Sequence, residues 1–158
     1  MIHAIIFDWK RTLYDPDKKT LIDGAEELLS YLHKKRIPLF LIGKGGQDMY
    51  SEVDKLNVRK FFSEIIFQEG KKEAAQFVRF VSPENPQHTI FIGDRAKSEL
   101  AIGAALGANT IWIRQGKFAD EEPENKEPTY VVTNLKECRN LLEKILRSYS
   151  RSENCIYA

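Results

Sequence analysis

Six short apolar or β-branched runs recur along this chain, and stretches with helical spacing separate most of them. The predicted strands lie at 2–7, 38–42, 64–67, 89–92, 109–113 and 129–132. One predicted helix begins at Asp23-Gly24, and the others cover 47–56, 72–81, 98–106 and 134–149. Strands that alternate with helices of this length form mostly parallel sheets with helices on both faces. The pattern therefore predicts a Rossmann-like α/β fold, a three-layer αβα sandwich around a doubly wound, mostly parallel sheet.

Length and composition limit the classes of protein to which the chain can belong. A chain of 158 residues with 42% hydrophobic content suits one domain with a buried core, and we expect a single domain over 1–149 and a flexible C-terminal tail over 150–158. The 24 basic and 23 acidic side chains leave no charge excess for binding nucleic acid or an anionic membrane. The sequence shows no signal segment, no apolar run of membrane-spanning length and only two cysteines. We therefore expect a cytoplasmic protein.

Three carboxylates follow two of the predicted strands. Asp8 ends the first apolar run, whereas Asp94 closely follows the run at 89–92 and precedes Glu99 by about one helical turn. Because the carboxyl ends of parallel strands meet at one edge of a sheet, we expect these side chains to share a pocket there. Asp94 taken alone would also suit a helix cap. Taken together, the three carboxylates can hold a hard cation and a phosphoryl group.

The residues around these carboxylates resemble three motifs of the haloacid dehalogenase (HAD) superfamily. The matching segments are Ile5 to Asp15 for the first motif, Lys71-Lys72 for the third, and Phe91-Ile92-Gly93-Asp94 with Glu99 for the fourth. The resemblance covers about residues 1–135, and the order, spacing and strand context of the motifs agree with the superfamily. It implies a HAD-like fold.

The resemblance also implies a reaction and a set of metal ligands. In members that act on phosphate esters, the first aspartate is a nucleophile that forms an aspartyl-phosphate with Mg²⁺ bound. By this resemblance Asp8 is the nucleophile and a metal ligand, and the backbone carbonyl of Lys10 is a second ligand. Asp94 is a third ligand, and Glu99 acts directly or through water. Oxygen ligands with open water positions favour Mg²⁺ over Zn²⁺.

Two further groups belong to the expected site. Either Lys71 or Lys72 supplies the catalytic cation, which offsets the repulsion between a carboxylate and a phosphate dianion. Thr12 suits either a hydroxyl that binds substrate phosphate or a turn residue.

Lys10 is the first departure from the superfamily pattern. The phosphatases of the superfamily have an aspartate two residues after the nucleophile, where it protonates the leaving oxygen and then activates water. Such proton transfer contributes roughly a hundredfold to ten-thousandfold to a rate, so we expect slow hydrolysis here. If the Lys10 ammonium points into the site, it pairs with Asp8, Asp94 or Glu99 and takes the place of Mg²⁺. If it points outward, it is a surface charge.

Gly43 is the second departure, because the superfamily has a serine or threonine there that hydrogen-bonds the phosphoryl group. Glycines in the stretch Gly43-Lys44-Gly45-Gly46 can still present backbone amides to substrate phosphate as an anion nest, to which Lys44 adds charge. The spacing is not that of a nucleotide P-loop. The same stretch would also serve as a bare turn with no function.

The intervals in which the superfamily inserts cap domains are short here, so we expect no cap domain. An open site implies a phosphorylated macromolecule as substrate, or a small phosphorylated molecule with a homodimer or protein partner covering the site. The first functional hypothesis is a slow phosphate-monoester hydrolase that works through Asp8. The alternative is a catalytically inactive HAD-like pseudoenzyme that binds a ligand or a protein. A phosphorylated receiver domain is disfavoured because the first strand does not end in an adjacent pair of acids.

Overall fold

Six parallel strands form the central sheet of this computed structural model, which describes residues 1–123 and 128–156. The strands are β1 Ala4–Phe7, β2 Tyr14–Asp15, β3 Thr20–Leu21, β4 Leu39–Lys44, β5 Glu64–Gln68, β6 Thr89–Gly93, β7 Asn109–Ile113 and β8 Tyr130–Val132. The α-helices are α1 Ala25–Lys34, α2 Gln47–Lys55, α3 Glu99–Ala105 and α4 Leu135–Ile156. All six predicted strands are confirmed at or close to their predicted positions, as is the α/β fold class.

The strand order β5-β4-β1-β6-β7-β8 contains one reversal of direction. From β1 the chain moves outward through β4 to β5 and then returns to the other side of β1 as β6, and every neighbouring pair in this sheet is parallel. In open α/β sheets, ligands bind in the crevice at the carboxyl ends of the strands where the order reverses. The crevice between β1 and β6 is therefore the position at which this fold places a site.

Two layers of side chains cover the sheet, one on each face. On one face, α1, α2 and α4 bury apolar side chains that include Leu28, Val53 and Leu142 against the strands. On the other face, α3 and the segment before β6 bury Leu100 and Phe77. Alternate strand residues point to opposite layers, as the period of two in a strand requires. The three-layer arrangement predicted from the sequence is thus confirmed.

The helix predicted over 72–81 is wrong, because this segment forms two short 3₁₀-helices, Ala74–Gln76 and Val78–Phe80. Phe77 and Phe80 are its buried aromatic residues, and their spacing of three fits the three-residue period of a 3₁₀-helix. Val78, which the helical pattern placed on the buried face, is 52% exposed. Reciprocal hydrogen bonds between Glu73 and Gln76 form a capping box that stabilises the start of the first turn.

The last helix is longer than predicted, since α4 continues to Ile156 and makes residues 150–156 helical rather than a flexible tail. Hydrogen bonds within the helix support this extension: the Ser150 hydroxyl donates to the Leu146 carbonyl at 3.2 Å, and the Ser152 hydroxyl donates to the Tyr149 carbonyl at 2.8 Å. The last two tail residues lie outside the described part of the chain. No helix in the described ranges combines the length and apolar character needed to cross a membrane.

A small antiparallel hairpin, β2 with β3, was not predicted from the sequence. Its strands have two residues each, which is too short for an alternating apolar pattern to be visible. The hairpin lies between β1 and α1, in the first of the two intervals where a cap domain would be inserted. The lack of a cap domain stays a prediction.

Candidate functional site

Asp8, Asp94 and Glu99 converge at the crevice between β1 and β6. One carboxylate oxygen from each residue lies within 4.8 Å of the other two. Asp8 directly follows β1, and its backbone N–H donates to the Ile92 carbonyl of β6 at 3.1 Å. Asp94 directly follows β6, and Glu99 is the first residue of α3. The convergence predicted from strand ends is therefore present, with these residues only 9%, 1% and 3% exposed.

Two local features hold the acidic residues in place. A Cβ atom at Gly93 would overlap the Glu99 carboxylate, so glycine at this position leaves the space that the carboxylate fills. The Trp112 indole N–H donates to the backbone carbonyl of Asp94 at 3.0 Å and anchors the residue to β7. The alternative role for Asp94 as a helix cap is wrong, because Ser98 occupies the N-cap position of α3.

Lys72 is the cation of this cluster. Its Nζ lies 2.6 Å from Asp8 Oδ1 and 3.3 Å from Glu99 Oε2, and its side chain is 7% exposed. Burial alone would lower the pKa of Lys72, but the Glu99 and Asp8 carboxylates outweigh that effect and raise the pKa to about 12. Lys71 is exposed. Of the two lysines predicted as candidates, the structure therefore brings only Lys72 to the site.

Thr12 contributes a buried hydroxyl to the same cluster. Its Oγ1 donates to Asp94 Oδ1 at 3.3 Å. The loop that carries Thr12 is tightly turned, with the Trp9 carbonyl accepting the backbone N–H groups of Thr12, Leu13 and Tyr14. The Trp9 ring is fully buried and stacks on the Tyr14 ring at 5.0 Å. Thr12 is thus a turn residue whose hydroxyl faces the acidic cluster.

Two carboxylate oxygens of the cluster, Asp94 Oδ2 and Glu99 Oε1, are buried without a hydrogen-bond partner among the described residues. Burial, followed by the Asp8 and Glu99 carboxylates, raises the pKa of Asp94 to about 8. Burial and the Asp8 carboxylate also raise the pKa of Glu99. Lys72 therefore does not fully offset the negative charge of the cluster. Buried acceptors of this kind, all of them oxygen, fit a hard divalent cation.

The acidic cluster opens into a cavity of about 180 Å³ whose rim is basic. Lys10 and Lys44 both line it. Within the described ranges, however, Lys10 forms no ion pair with any carboxylate, so the predicted pairing of Lys10 with the acidic cluster is wrong. The cation that bridges the carboxylates comes from Lys72 instead. The role of the Lys10 backbone carbonyl as a metal ligand stays a prediction.

Gly43 lies inside β4 and does not line this cavity. A Cβ atom there would lie 2.8 Å from Phe67 Cε1 and 3.0 Å from Trp9 Cβ. Phe67 and Trp9 therefore fill the space beside Gly43, and a hydroxyl side chain at this position would meet the Phe67 ring. In the following turn, the Gly45 N–H already donates to the Gln68 carbonyl at 3.1 Å, which removes one amide from the predicted anion nest.

Four residues that sequence reasoning did not select also line the cavity: Arg11, Arg95, Ser98 and Phe118. Arg95 directly follows Asp94, and Phe118 lies in the loop after β7. The carboxyl-edge rule could have selected both, because loops after neighbouring strands border the same crevice. Arg11 has a backbone φ of 65°, which its sequence context does not reveal.

The sequence of this chain is similar to a known family and to two curated proteins. A family model described as HAD-hydrolase-like matches residues 68–138. The chain is 28% identical over 131 residues to glyceraldehyde 3-phosphate phosphatase of Pyrococcus furiosus, and the match covers 78% of this chain and 55% of that protein. It is also 28% identical over 132 residues to YfnB of Bacillus subtilis, whose name describes it as a HAD-hydrolase, with 77% and 54% covered. The chain thus spans about half the length of these curated relatives.

Several solved structures have a fold similar to that of this chain. YfnB bound to magnesium superposes with a TM-score of 0.64 at 25% identity, covering 78% of this chain and 57% of that one. An uncharacterized protein from Listeria monocytogenes gives 0.73 at 15% identity, with 92% and 99% covered. A HAD-superfamily hydrolase from Ehrlichia chaffeensis gives 0.66 at 19% identity, with 90% and 97% covered.

Proposed function

Because this chain belongs to the haloacid dehalogenase superfamily, we propose that it hydrolyses phosphate monoesters through Asp8. The observation that carries this proposal is the buried cluster in which oxygens of Asp8, Asp94 and Glu99 lie within 4.8 Å of one another, with Lys72 bound to two of the residues. Its place at the strand-order reversal is where an α/β sheet receives a ligand. The relative named as a phosphatase supports the same class of reaction.

In the proposed reaction, an Asp8 carboxylate oxygen attacks phosphorus and the bond from phosphorus to the ester oxygen breaks. The leaving oxygen takes a proton from solvent water and departs as an alcohol, and the phosphoryl group is then bonded to Asp8. Water attacks this phosphorus, the bond to Asp8 breaks, and inorganic phosphate leaves with the free carboxylate restored. Lys72 already lies 2.6 Å from Asp8 Oδ1, where its charge would also stabilise the incoming phosphoryl oxygens.

The donor set fits Mg²⁺, since it consists of carboxylate oxygens and two of them are buried without a partner in the described chain. Asp8, Asp94 and Glu99 would hold the cation, with the Lys10 carbonyl as a further ligand. A divalent cation there would offset the repulsion between the Asp8 carboxylate and a phosphate dianion. The Thr12 hydroxyl, which donates to Asp94 Oδ1, would fix the orientation of that carboxylate.

Magnesium-dependent release of nitrophenolate from para-nitrophenyl phosphate tests this proposal. We expect slow turnover that needs Mg²⁺ and is abolished in Asp8→Asn. Asp17→Asn is the matched control, because Asp17 is an exposed aspartate outside the cluster. Turnover that persists in Asp8→Asn would overturn the role of Asp8. No turnover in the wild-type protein, despite cation binding, would overturn the proposal in favour of the second candidate.

The second candidate is an inactive module that keeps the pocket to bind a ligand or a protein partner. Two observations favour it: position 10 carries an ammonium where phosphatases of the superfamily have a carboxyl group, and the Phe67 and Trp9 packing leaves no room for a hydroxyl side chain at position 43. Loss of an acid of this kind typically reduces a rate by about a hundredfold or more, rather than to zero. The hydrolase therefore remains the function that the acidic cluster supports best.

A further inference from the structure

The cavity beside the acidic cluster contains more basic groups than its carboxylates need. Its lining includes three carboxylates and five basic side chains, namely Lys10, Arg11, Lys44, Lys72 and Arg95. Two of these cations already have partners. Lys72 pairs with Asp8 and Glu99, and Arg95 Nε lies 3.2 Å from Glu121 Oε2.

Lys10, Lys44 and Arg11 form no ion pair with a carboxylate in the described part of the chain. Asp15 and Asp17 line a neighbouring cavity that shares Arg11. One Asp15 oxygen accepts the backbone N–H groups of Asp17 and Lys18, at 2.9 Å and 3.2 Å. Three positive charges at the mouth of the site therefore lack a partner of opposite charge.

The backbone holds Arg11 in an unfavourable conformation at this mouth. Its φ of 65° is in the left-handed region, which bulky side chains rarely adopt. Hydrogen bonds hold it there: the Arg11 N–H donates to the Tyr14 carbonyl at 2.7 Å, and Gln115 Nε2 donates to the Arg11 carbonyl at 3.3 Å. The guanidinium lies 5.8 Å from the centre of the Phe118 ring. Strain that surrounding contacts maintain is typical of positions that bind ligands.

Counting charges suggests what these cations bind. Lys72 and one divalent cation together match the three carboxylates. A phosphate monoester dianion then matches two of the three remaining cations. One positive charge is left, which equals the charge of a carboxylate and is half that of a second phosphoryl group. A cavity of about 180 Å³ is also smaller than the roughly 300 Å³ or more of a typical drug-sized ligand site, so the second anionic group must lie close to the ester.

We propose that Lys10, Lys44 and Arg11 form an anion subsite that selects phosphate esters of small hydroxy acids, in which a carboxylate lies one or two carbons from the ester oxygen. This inference rests on the proposed function for its substrate class. Its test separates the two, because binding preference and turnover are measured independently. Lys44 and Arg11 are the residues that test the preference, since Lys10 is also the proposed source of a carbonyl ligand to the metal and these two are not.

The probes are 2-phosphoglycolate, which carries a carboxylate, and 2-hydroxyethyl phosphate, a neutral analogue of similar length. With Mg²⁺ present, calorimetry should show that 2-phosphoglycolate binds about tenfold more tightly, the effect of roughly one charge-assisted hydrogen bond. Lys44→Gln and Arg11→Gln should each reduce this ratio to about twofold or less, whereas the exposed control Lys71→Gln should keep it. Raising the salt concentration should also reduce the ratio.

Equal affinity for the two probes overturns the subsite, whether or not either ester is hydrolysed. An unchanged preference in both Lys44→Gln and Arg11→Gln overturns the assignment to these residues. If neither probe releases phosphate but the preference and its loss in the variants are observed, the proposed function fails and the subsite stands as a binding site. If both probes release phosphate but bind with equal affinity, the proposed function stands and the subsite fails.

Discussion

Two glycines near the carboxyl ends of the two strands that flank β1 have opposite uses in this molecule. Gly93 at the end of β6 leaves space for the Glu99 carboxylate, whereas Gly43 in β4 leaves space for the Phe67 ring and Trp9. Both positions lie within one residue of the carboxyl end of a strand. The space beside Gly93 is occupied by a charged group and the space beside Gly43 by aromatic packing. A glycine at a strand end therefore shows only that something approaches closely, and the neighbouring element decides whether that is a functional group.

The pH dependence of the unfolding free energy should distinguish the acidic surroundings of Gly93 from the aromatic surroundings of Gly43 most strongly. The pKa of Asp94 is raised from 3.8 to about 8, so without divalent cations the folded protein keeps a proton that the unfolded chain releases above about pH 4. In EDTA the contribution of Asp94 to stability should therefore be fully present below that pH and be lost as pH rises towards 8. The expected loss in the free energy of unfolding is on the order of several kcal/mol, since one pKa unit corresponds to about 1.4 kcal/mol.

Urea unfolding of the wild-type protein and of Asp94→Asn, between pH 4.5 and 8.5 in EDTA, measures this effect. The difference in unfolding free energy between the two proteins should shift in favour of Asp94→Asn as pH rises. A difference that stays constant over this range would show that Asp94 titrates normally and that the cluster is not a buried charged site. A side chain at position 43 would meet Phe67 and Trp9, neither of which titrates, so Gly43→Ser should show no such trend relative to the wild-type protein.

Gly93→Ala should destabilise the protein by about 3 kcal/mol, because the added methyl group must displace a buried carboxylate. It should also weaken binding of a divalent cation, since Glu99 is one of the three ligands. Urea unfolding and a cation titration on the same sample measure both effects. Normal stability together with normal cation binding would show that Glu99 can move without consequence.

Gly43→Ser should cost about 2 kcal/mol and give no gain in hydrolysis, because the new side chain meets the Phe67 ring rather than the substrate. Phe67→Leu should relieve part of this cost, so the double variant should be more stable than the sum of the single changes predicts. Gly46→Ala is a milder control, since its new Cβ would approach the carboxylate ends of Glu69 at 3.3 Å and of Asp48 at 3.4 Å. A rise in turnover in Gly43→Ser would mean that the side chain faces the cavity after all.

Lys10→Asp should have the smallest energetic effect, a gain of at least about tenfold in phosphate release from 2-hydroxyethyl phosphate, or about 1.4 kcal/mol in the barrier. The gain should be smaller with para-nitrophenyl phosphate, whose leaving group needs less protonation. Lys10→Asn removes the ammonium without supplying an acid and should show no gain. Equal rates for Lys10→Asp and Lys10→Asn would place the catalytic defect elsewhere in the site.

The parts of the fold that sequence reasoning predicted are those controlled by local pattern. The six strands are visible as apolar runs, and the rule for parallel sheets then brings Asp8 and Asp94 to one edge. The position of Glu99 about one helical turn after Asp94 added the third carboxylate. Resemblance to the superfamily added the pair Lys71-Lys72, but only the structure shows that Lys72 enters the site.

The features that sequence reasoning missed depend on contacts between distant segments. The Gly43 environment is set by Phe67 on a neighbouring strand, and the conformation of Arg11 depends on Gln115 from the loop after β7. The segment at 72–81 has an apolar spacing that suits an α-helix, but burial of Phe77 and Phe80 selects 3₁₀ turns. For Gly43 and Arg11, no short window of sequence contains the deciding neighbour.

A titration with Mn²⁺ followed by electron paramagnetic resonance tests most directly whether the acidic cluster is a working cation site, because Mn²⁺ suits the same oxygen ligands as Mg²⁺. One Mn²⁺ should bind per chain, Mg²⁺ should compete for it, and Asp94→Asn and Glu99→Gln should each weaken binding by about tenfold or more. Asp17→Asn should bind as the wild-type protein does. Absence of binding, or equal binding in the Asp94 and Glu99 variants, would show that Lys72 alone satisfies these carboxylates and that phosphoryl transfer at Asp8 has no metal to support it.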